Sequence, residues 1–377
     1  MSHAPILPDH YKPTHDEAAR QDFVGALKGY LNGPLEHQLG EHYEHNIRPD
    51  FERQHGRQPT NREDGWRALG DDPLFQLWGA SVYASQDLMW ETVDLTCQRV
   101  LPAFEQRWSA VTKNPVGSLS LNPALALPEP IRSTEIHRQP GGYFSEAGGG
   151  LLCGLRYFGT VELYRNAKGL ATGAPPGAPG IGLFVLAAVQ KRFGDITPEH
   201  ILDLGCGSGT ETLAYKMRFP DARINGVDLS APLLRFAHLW AEDAGLELHF
   251  KQADARDTGL PADSQDLIVS NILFHETRAD IVGDILREAY RLLAPGGILL
   301  NVDTAYQPDQ IPIPKQVTND WQVINNGEPF WTGFADMNMR EELLRAGFDE
   351  PTVFADYDPL GSGYFHVFGG QKKADDT

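Results

Sequence analysis

A glycine run, three carboxylates and a histidine in the C-terminal half are the residues from which a cofactor site and an acid–base group can be made. Leu202-Asp203-Leu204-Gly205-Cys206-Gly207-Ser208-Gly209 sets three glycines at alternate positions. Glycine lets the backbone turn sharply there and lets a ligand approach the peptide plane. The unpaired N–H groups of a helix that follows attract a carboxylate or phosphate. Asp228, in Gly226-Val227-Asp228-Leu229-Ser230, can accept hydrogen bonds from both hydroxyls of a ribose. Asp254, in Gln252-Ala253-Asp254-Ala255, is placed to accept from an exocyclic amine. The loop alone would serve a dinucleotide equally well. Next comes Ser270-Asn271-Ile272-Leu273-Phe274-His275-Glu276. Imidazole titrates near neutral pH, so His275 can deprotonate a hydroxyl or phenol; packing against a cofactor is the competing reading. Glu276 either orients His275 or caps a helix.

These residues need a frame, and the pattern from Ile181 onward supplies one. Strand-like His200–Leu204, Arg223–Val227, Leu246–Gln252, Asp266–Ser270 and Gly297–Val302 alternate with helix-like stretches at Thr210–Phe219, Ala231–Ala244 and Arg278–Leu293. Such alternation predicts a parallel sheet covered on both faces. Each motif then falls at the carboxyl end of a strand, where open parallel sheets bind ligands. Leu293-Ala294-Pro295-Gly296-Gly297 turns into the fifth strand. Two last strands, Thr352–Tyr357 and Tyr364–Phe368, flank a turn-rich 358–363 and predict a hairpin.

In order and spacing these motifs resemble the Rossmann-like, class I S-adenosylmethionine-dependent methyltransferases. The likeness covers roughly half the chain, from about Ile181 to Gly370. A dinucleotide site would explain the loop and Asp228, but neither Asp254, the Pro-Gly-Gly turn nor the terminal hairpin. The resemblance implies an α/β fold with a seven-stranded, mostly parallel sheet ending in an antiparallel hairpin. It implies S-adenosyl-L-methionine as cofactor. Asp203, Gly205, Cys206, Gly207 and Gly209 would surround its methionine part and Asp228 would hold the ribose. Leu229, Asp254 and Ala255 would bound the adenine, with Asn271 and Leu273 beside the methyl-donor end. Methyl transfer needs alignment, exclusion of water and, for a protonated acceptor, a base. His275, Glu276 and Asp303 are the catalytic candidates. O-methylation of a small molecule with His275 as base is the sharper expectation. N-, S- or C-methylation, a protein or RNA methyltransferase and a non-catalytic cofactor-binding scaffold are the alternatives.

Two regions precede that domain. Residues 1–112 are helical in pattern, with Asp71-Asp72-Pro73 as a helix start. From there Leu74, Leu77, Trp78, Ser81, Val82, Ser85, Leu88, Met89 and Val93 predict one face of a long helix for core packing or a helix-bundle interface, in a region that would form a substrate cap, a dimer interface or both. Residues 113–180 are broken by prolines and glycines, with a helix expected over Leu152–Asn166 and a hinge over Gly173–Gly180. This segment carries His137, Tyr143 and Tyr157 toward the site, and Tyr143 is a substrate-binding candidate. In the segment of about 306–335 within the domain of 181–377, Tyr306, Trp321, Phe330 and Trp331 suggest a lid over the acceptor, with Tyr306 and Trp331 as its contacts.

Composition narrows the field. Asp and Glu number 51 against 32 Lys and Arg, a formal charge of −19 on 377 residues. That opposes nucleic acid and anionic membrane as partners. A hydrophobic fraction of 41% suffices for a large core. Cys97, Cys153 and Cys206 are scattered and odd in number, as in a reduced compartment. A cytoplasmic enzyme with no secretory signal is expected, a homodimer through the helical region being compatible. His37, His42 and His45 alternate with Glu36, Glu41 and Glu44, which reads as a solvated helix face, so no metal is expected.

Overall fold

The computed structural model describes residues 11–166, 180–304, 311–357 and 365–374. The N-terminal region folds as α1 (His15–Tyr30), α2 (Glu36–His42), α3 (Arg48–His55), α4 (Arg62–Leu69) and α5 (Pro73–Val111). Single π-helical turns at Leu31–Leu35 and Tyr43–Ile47 join the first three into one run. The first contains Pro34, whose missing N–H interrupts regular α-helical bonding. Asp72 starts α5 as the sequence indicates: its Oδ1 accepts from Leu74 N and Phe75 N at 2.9 and 3.1 Å. Trp78, Val82, Ser85, Met89 and Val93 of the expected face are buried, while Leu77 and Leu88 are exposed. The inner face is instead completed by Gln86, Trp90 and Thr92, because both α1 and the connecting segment pack on it.

The connecting segment holds a short strand β1 (Ser118–Ser120) and α6 (Leu152–Asn166), and α7 is Gly180–Phe193. The expected hinge over 173–179 lies outside the described residues. Then come β2 (His200–Leu204), α8 (Thr210–Arg218), β3 (Arg223–Asp228), α9 (Ala231–Asp243), β4 (His249–Gln252) and β5 (Gln265–Asn271). These are followed by α10 (Ala279–Leu292), β6 (Leu293–Thr304), α11 (Ile313–Asn325), α12 (Trp331–Ala335), α13 (Met339–Ala346), β7 (Phe354–Tyr357) and β8 (Phe365–Gln371). The sheet order is β1-β4-β3-β2-β5-β6-β8-β7, parallel up to β6 and antiparallel beyond it. It has eight strands rather than seven. The extra strand is β1, three residues long, too short for an alternation to signal. The terminal strands pair as expected, with β8 entering between β6 and β7; the turn at 358–363 lies outside the described residues.

Strand order reverses at β2, whose neighbours are β3 and β5, so a crevice opens at its carboxyl end. One apolar core runs without a break from the helices into the sheet, through Val93 and Phe104 of α5, Phe158 of α6, Phe236 and Trp240 of α9, and Ile201 and Val269 below. The helical region is thereby fixed over the crevice. No helix among the described residues is long and apolar enough to cross a membrane.

Candidate active site

Two cavities meet above the sheet. The first lies at the carboxyl ends of β2, β3, β4 and β5. Gly205, Cys206, Gly207, Asp228, Leu229, Asp254, Ala255, Asn271, Leu273 and Glu276 line it, with Tyr143 from the connecting segment. Gly205 has φ +69°, and a Cβ there would sit 2.6 Å from Leu273; only glycine allows the loop to lie so close. Asp228 accepts from Gly207 N at 3.0 Å and Ser230 N at 2.7 Å, so its carboxylate ties the loop to the β3 end. The Asn271 Oδ1 is buried without a hydrogen-bond partner among the described residues. An orphaned buried acceptor beside a cleft calls for a donor from a ligand. Ile272, next to it, has φ 55°, a strained value for a β-branched residue and a mark of a functional turn.

Two of the expected cofactor residues stand behind this lining. Asp203 is buried beneath the loop and accepts from Thr212 Oγ1 at 2.5 Å. Gly209 is the N-cap of α8. Asp254 does reach the cleft, but Arg256 holds both its oxygens, Nε at 3.0 and 3.2 Å and Nη2 at 2.7 Å. Burial raises Asp203 to about 8, Glu211 to about 7 and Asp228 to about 6. Glu211, also in the lining, was not legible beforehand, since an acidic residue opening a helix reads as a dipole partner. At neutral pH Asp203 then keeps its proton and Glu211 about half of its own, so of these three Asp228 is the one that presents a negative charge to a ligand.

The second cavity, about 910 Å³, lies between α1, α5, α6 and α11. Trp78, Trp90, Tyr164 and Trp331 give it aromatic walls; Gln86, Asn319, Gln322, Asn326 and Glu328 give it polar ones. Lys28 lies in its wall, burial lowering it to about 8, and donates to Gln86 Oε1 at 2.6 Å. Its roof is α11, which is no loose lid. Trp66 Nε1 donates to Asp320 Oδ2 at 2.5 Å, Lys315 pairs with Glu36 at 2.7 Å, and Trp321 meets Trp78 edge-on at 5.2 Å. Tyr306 lies outside the described residues.

The cavities meet across Tyr157, which lines both, and across a bond between their walls. Glu276 of the cleft accepts at Oε1 from Tyr143 OH at 3.2 Å and lies 2.9 Å from Nε2 of His137, a wall residue of the second cavity. Glu276 thus neither caps a helix nor bonds His275, whose Nε2 is 3.9 Å away. His275 is buried, its Nδ1 2.7 Å from Asp303 Oδ1, while Asp303 also accepts from Phe274 N at 2.7 Å. Burial works to lower the His275 ring, but the Asp303 carboxylate outweighs it and raises the ring to about 9. Burial likewise opposes charge on His137, and Glu328 and Glu276 override it, lifting the ring well above its ordinary value. His137 lay in the glycine-rich approach with no role to mark it, and Glu328 carried no signal at all. The histidines near α2 are otherwise engaged: His42 Nε2 is 2.9 Å from Asp72, and His45 Nδ1 is 2.8 Å from the Glu41 carbonyl.

Comparison with known proteins agrees with this geometry. Residues 201–297 match the family model described as a methyltransferase domain. The chain is 39% identical over 103 residues to the demethylmenaquinone methyltransferase of Thermus thermophilus, 27% of this chain and 46% of that one. It is 43% identical over 104 residues to the trans-aconitate 2-methyltransferase of Streptomyces avermitilis, 27% and 38%. To the demethylmenaquinone methyltransferase of Lactococcus lactis it is 30% identical over 198 residues, 47% of this chain and 75% of that relative. The chain belongs to the class I S-adenosylmethionine-dependent methyltransferases. It covers less than half of the first two relatives' length, and their named acceptors differ.

The cleft fits the family's cofactor. Asn271 Oδ1 offers an acceptor of the kind an ammonium group needs, and Asp228 presents a carboxylate at the β3 end of the cleft.

Proposed function

We propose that the protein transfers a methyl group from S-adenosylmethionine to a small molecule held in the second cavity. The observation that carries this is the junction: a wall residue of the cofactor cleft, Glu276, is bonded to a wall residue of the aromatic cavity, His137. The cofactor supplies an activated methyl group. The chain's own part is to hold both ligands in line, exclude water with α11 and Phe330, and receive a proton. Trp78, Trp90 and Trp331 favour a compact apolar body, and the amides of α11 favour polar substituents on it.

The finer reading is transfer to oxygen, with His275 as base. Asp303 engages Nδ1 and leaves Nε2 to face Glu276 and the junction. Because the same carboxylate lifts the ring to about 9, His275 takes a hydroxyl proton only toward alkaline pH, where turnover should rise. The domain reading follows: helices of 1–112 and the segment of 113–180 cap the acceptor, and 181–377 binds the cofactor. Leu77, Leu88 and Leu95 are exposed on one side of α5 and would meet a second copy, which sedimentation velocity tests.

Calorimetry with S-adenosylmethionine, S-adenosylhomocysteine and NAD is the deciding experiment. Binding of the first two near −8 kcal/mol, micromolar in dissociation constant, is expected. Preference for NAD would defeat the reading. An acceptor panel on His275→Ala then addresses the base: turnover lost with cofactor affinity kept supports it.

A further inference from the structure

The group at the junction has a second property. His137, His275 and Glu276 each offer one ligand atom, all within 4.8 Å of one another, and no other such cluster of three occurs among the described residues. They come from chain positions 137 and 275–276, so the fold alone brings them together. Each ring is oriented by a carboxylate on its other nitrogen: Glu328 on Nδ1 of His137 and Asp303 on Nδ1 of His275. This leaves both Nε2 atoms toward Glu276. A carboxylate behind each histidine is the usual support of a metal-binding imidazole, because it fixes the tautomer and raises ligand basicity.

The backbone of His137 is also held in place. Its φ is 52°, a left-handed value, and its carbonyl accepts from Gln86 Nε2 at 2.7 Å and Trp90 Nε1 at 2.8 Å. Its own N–H donates to Gly327 O at 3.2 Å. A strained residue bonded so fully is a sign of an imposed position.

We propose that His137, His275 and Glu276 bind one divalent transition-metal ion where the cofactor cleft meets the acceptor cavity. Two imidazoles and one carboxylate suit manganese, iron, cobalt or zinc over magnesium or calcium, which prefer oxygen ligands. The set leaves coordination positions open, and His137 faces the second cavity, so an acceptor oxygen can complete the shell. An acceptor hydroxyl bound there loses its proton to solvent more readily. With His275 Nε2 engaged as a ligand, this proton loss replaces His275 as the base of the proposed function, and the metal stoichiometry below decides between the two. The inference rests on the proposed methyl transfer only for the group that the ion would activate; the site itself rests on three side chains and their carboxylates.

The test uses the full chain, freed of metal with a chelator and titrated with Co²⁺, Zn²⁺ and Mg²⁺ by calorimetry and equilibrium dialysis. One equivalent of Co²⁺ or Zn²⁺ per chain is expected, with Mg²⁺ far weaker. His275→Ala and Glu276→Gln should abolish it, and Asp303→Asn should weaken it roughly 10- to 100-fold. A His37→Ala/His45→Ala double variant on the surface should leave it unchanged. Each sample is also titrated with S-adenosylmethionine, which reports folding apart from metal. Cofactor binding with no stoichiometric metal, or metal lost in the surface variant and kept in His275→Ala, overturns the inference and leaves the function standing. Metal binding without cofactor binding does the reverse.

Discussion

The glycine-loop cleft and the aromatic cavity touch, yet they are made by opposite means. The cleft is assembled mostly from consecutive strand ends between Gly205 and Arg278, and much of its shape is backbone: a glycine loop, a helix start, the turn at Ile272. The cavity is assembled from side chains of α1, α5, α6 and α11, which stand far apart in the chain. Recognition by backbone demands glycines and carboxylates at fixed spacing. Recognition by side chains on packed helices demands only that each helix present some residue to the same space. The first leaves a pattern in one stretch of sequence; the second leaves its trace only after folding.

The largest expected effect breaks the cleft alone. Asp228→Ala removes the carboxylate that ties Gly207 and Ser230 together and that, on the proposed reading, accepts from the two ribose hydroxyls. Loss of two hydrogen bonds to a charged acceptor should cost about 3 kcal/mol, roughly a hundredfold in cofactor affinity by calorimetry. Hydrogen exchange in α11 should stay as in the parent. If α11 loosened as well, the cleft and the cavity would be one cooperative unit, and the contrast drawn above would fail.

The converse substitution acts on the cavity. A Cβ on Gly79 of α5 would lie 2.8 Å from the Trp321 ring, so Gly79→Leu must wedge α11 away from α5. Overpacking of this kind typically costs about 1–3 kcal/mol. Faster exchange over Ile313–Asn325 is expected, with S-adenosylmethionine affinity within about twofold of the parent. A tenfold loss of cofactor affinity would show that the roof also shapes the cleft.

The same contrast explains what was legible in the chain. The loop, Asp228, Asp254, Asn271 and Leu273 line one cleft at the strand ends, because strand-end geometry ties spacing to position. The start of α5 was legible from Asp72 and Pro73, yet its buried face was misjudged at Leu77 and Leu88, since hydrophobicity alone does not say which neighbours arrive. The partners of Glu276 were illegible: His137 is 139 residues away and joins it only through the irregular segment between α5 and α6. β1 escaped notice because three residues carry no period.

A smaller effect concerns pH. Asp203 is fully buried and raised to about 8 in the folded chain from an ordinary 3.8. The folded state therefore keeps a proton that the unfolded chain has lost, so stability falls as pH rises from about 4 to about 8. Asp203→Asn removes that loss. Its melting temperature should equal the parent's near pH 4 and exceed it near pH 8 by a few degrees. A parent-minus-variant difference that does not change with pH would mean that Asp203 is ionised throughout, with its Thr212 bond sufficient to hold it so. Either result bears on the cleft without touching the cavity.

The smallest effect separates two carboxylates that the motifs present as equals. Asp228 bonds only backbone N–H groups of its own loop region, whereas Asp254 is gripped through both oxygens by Arg256. A carboxylate already engaged by a guanidinium has less to offer an adenine amine, and its charge is largely offset. An asparagine at 254 retains one carbonyl oxygen as acceptor. Asp254→Asn should therefore weaken S-adenosylmethionine only about three- to tenfold, about 1 kcal/mol, measured beside Asp228→Ala under the same salt. A loss as large as that of Asp228→Ala would mean that Arg256 aims the carboxylate at the ligand rather than consuming it. The cleft would then owe its selectivity to a side-chain pair, as the cavity does, and the division between backbone and side-chain recognition would run through the cleft itself.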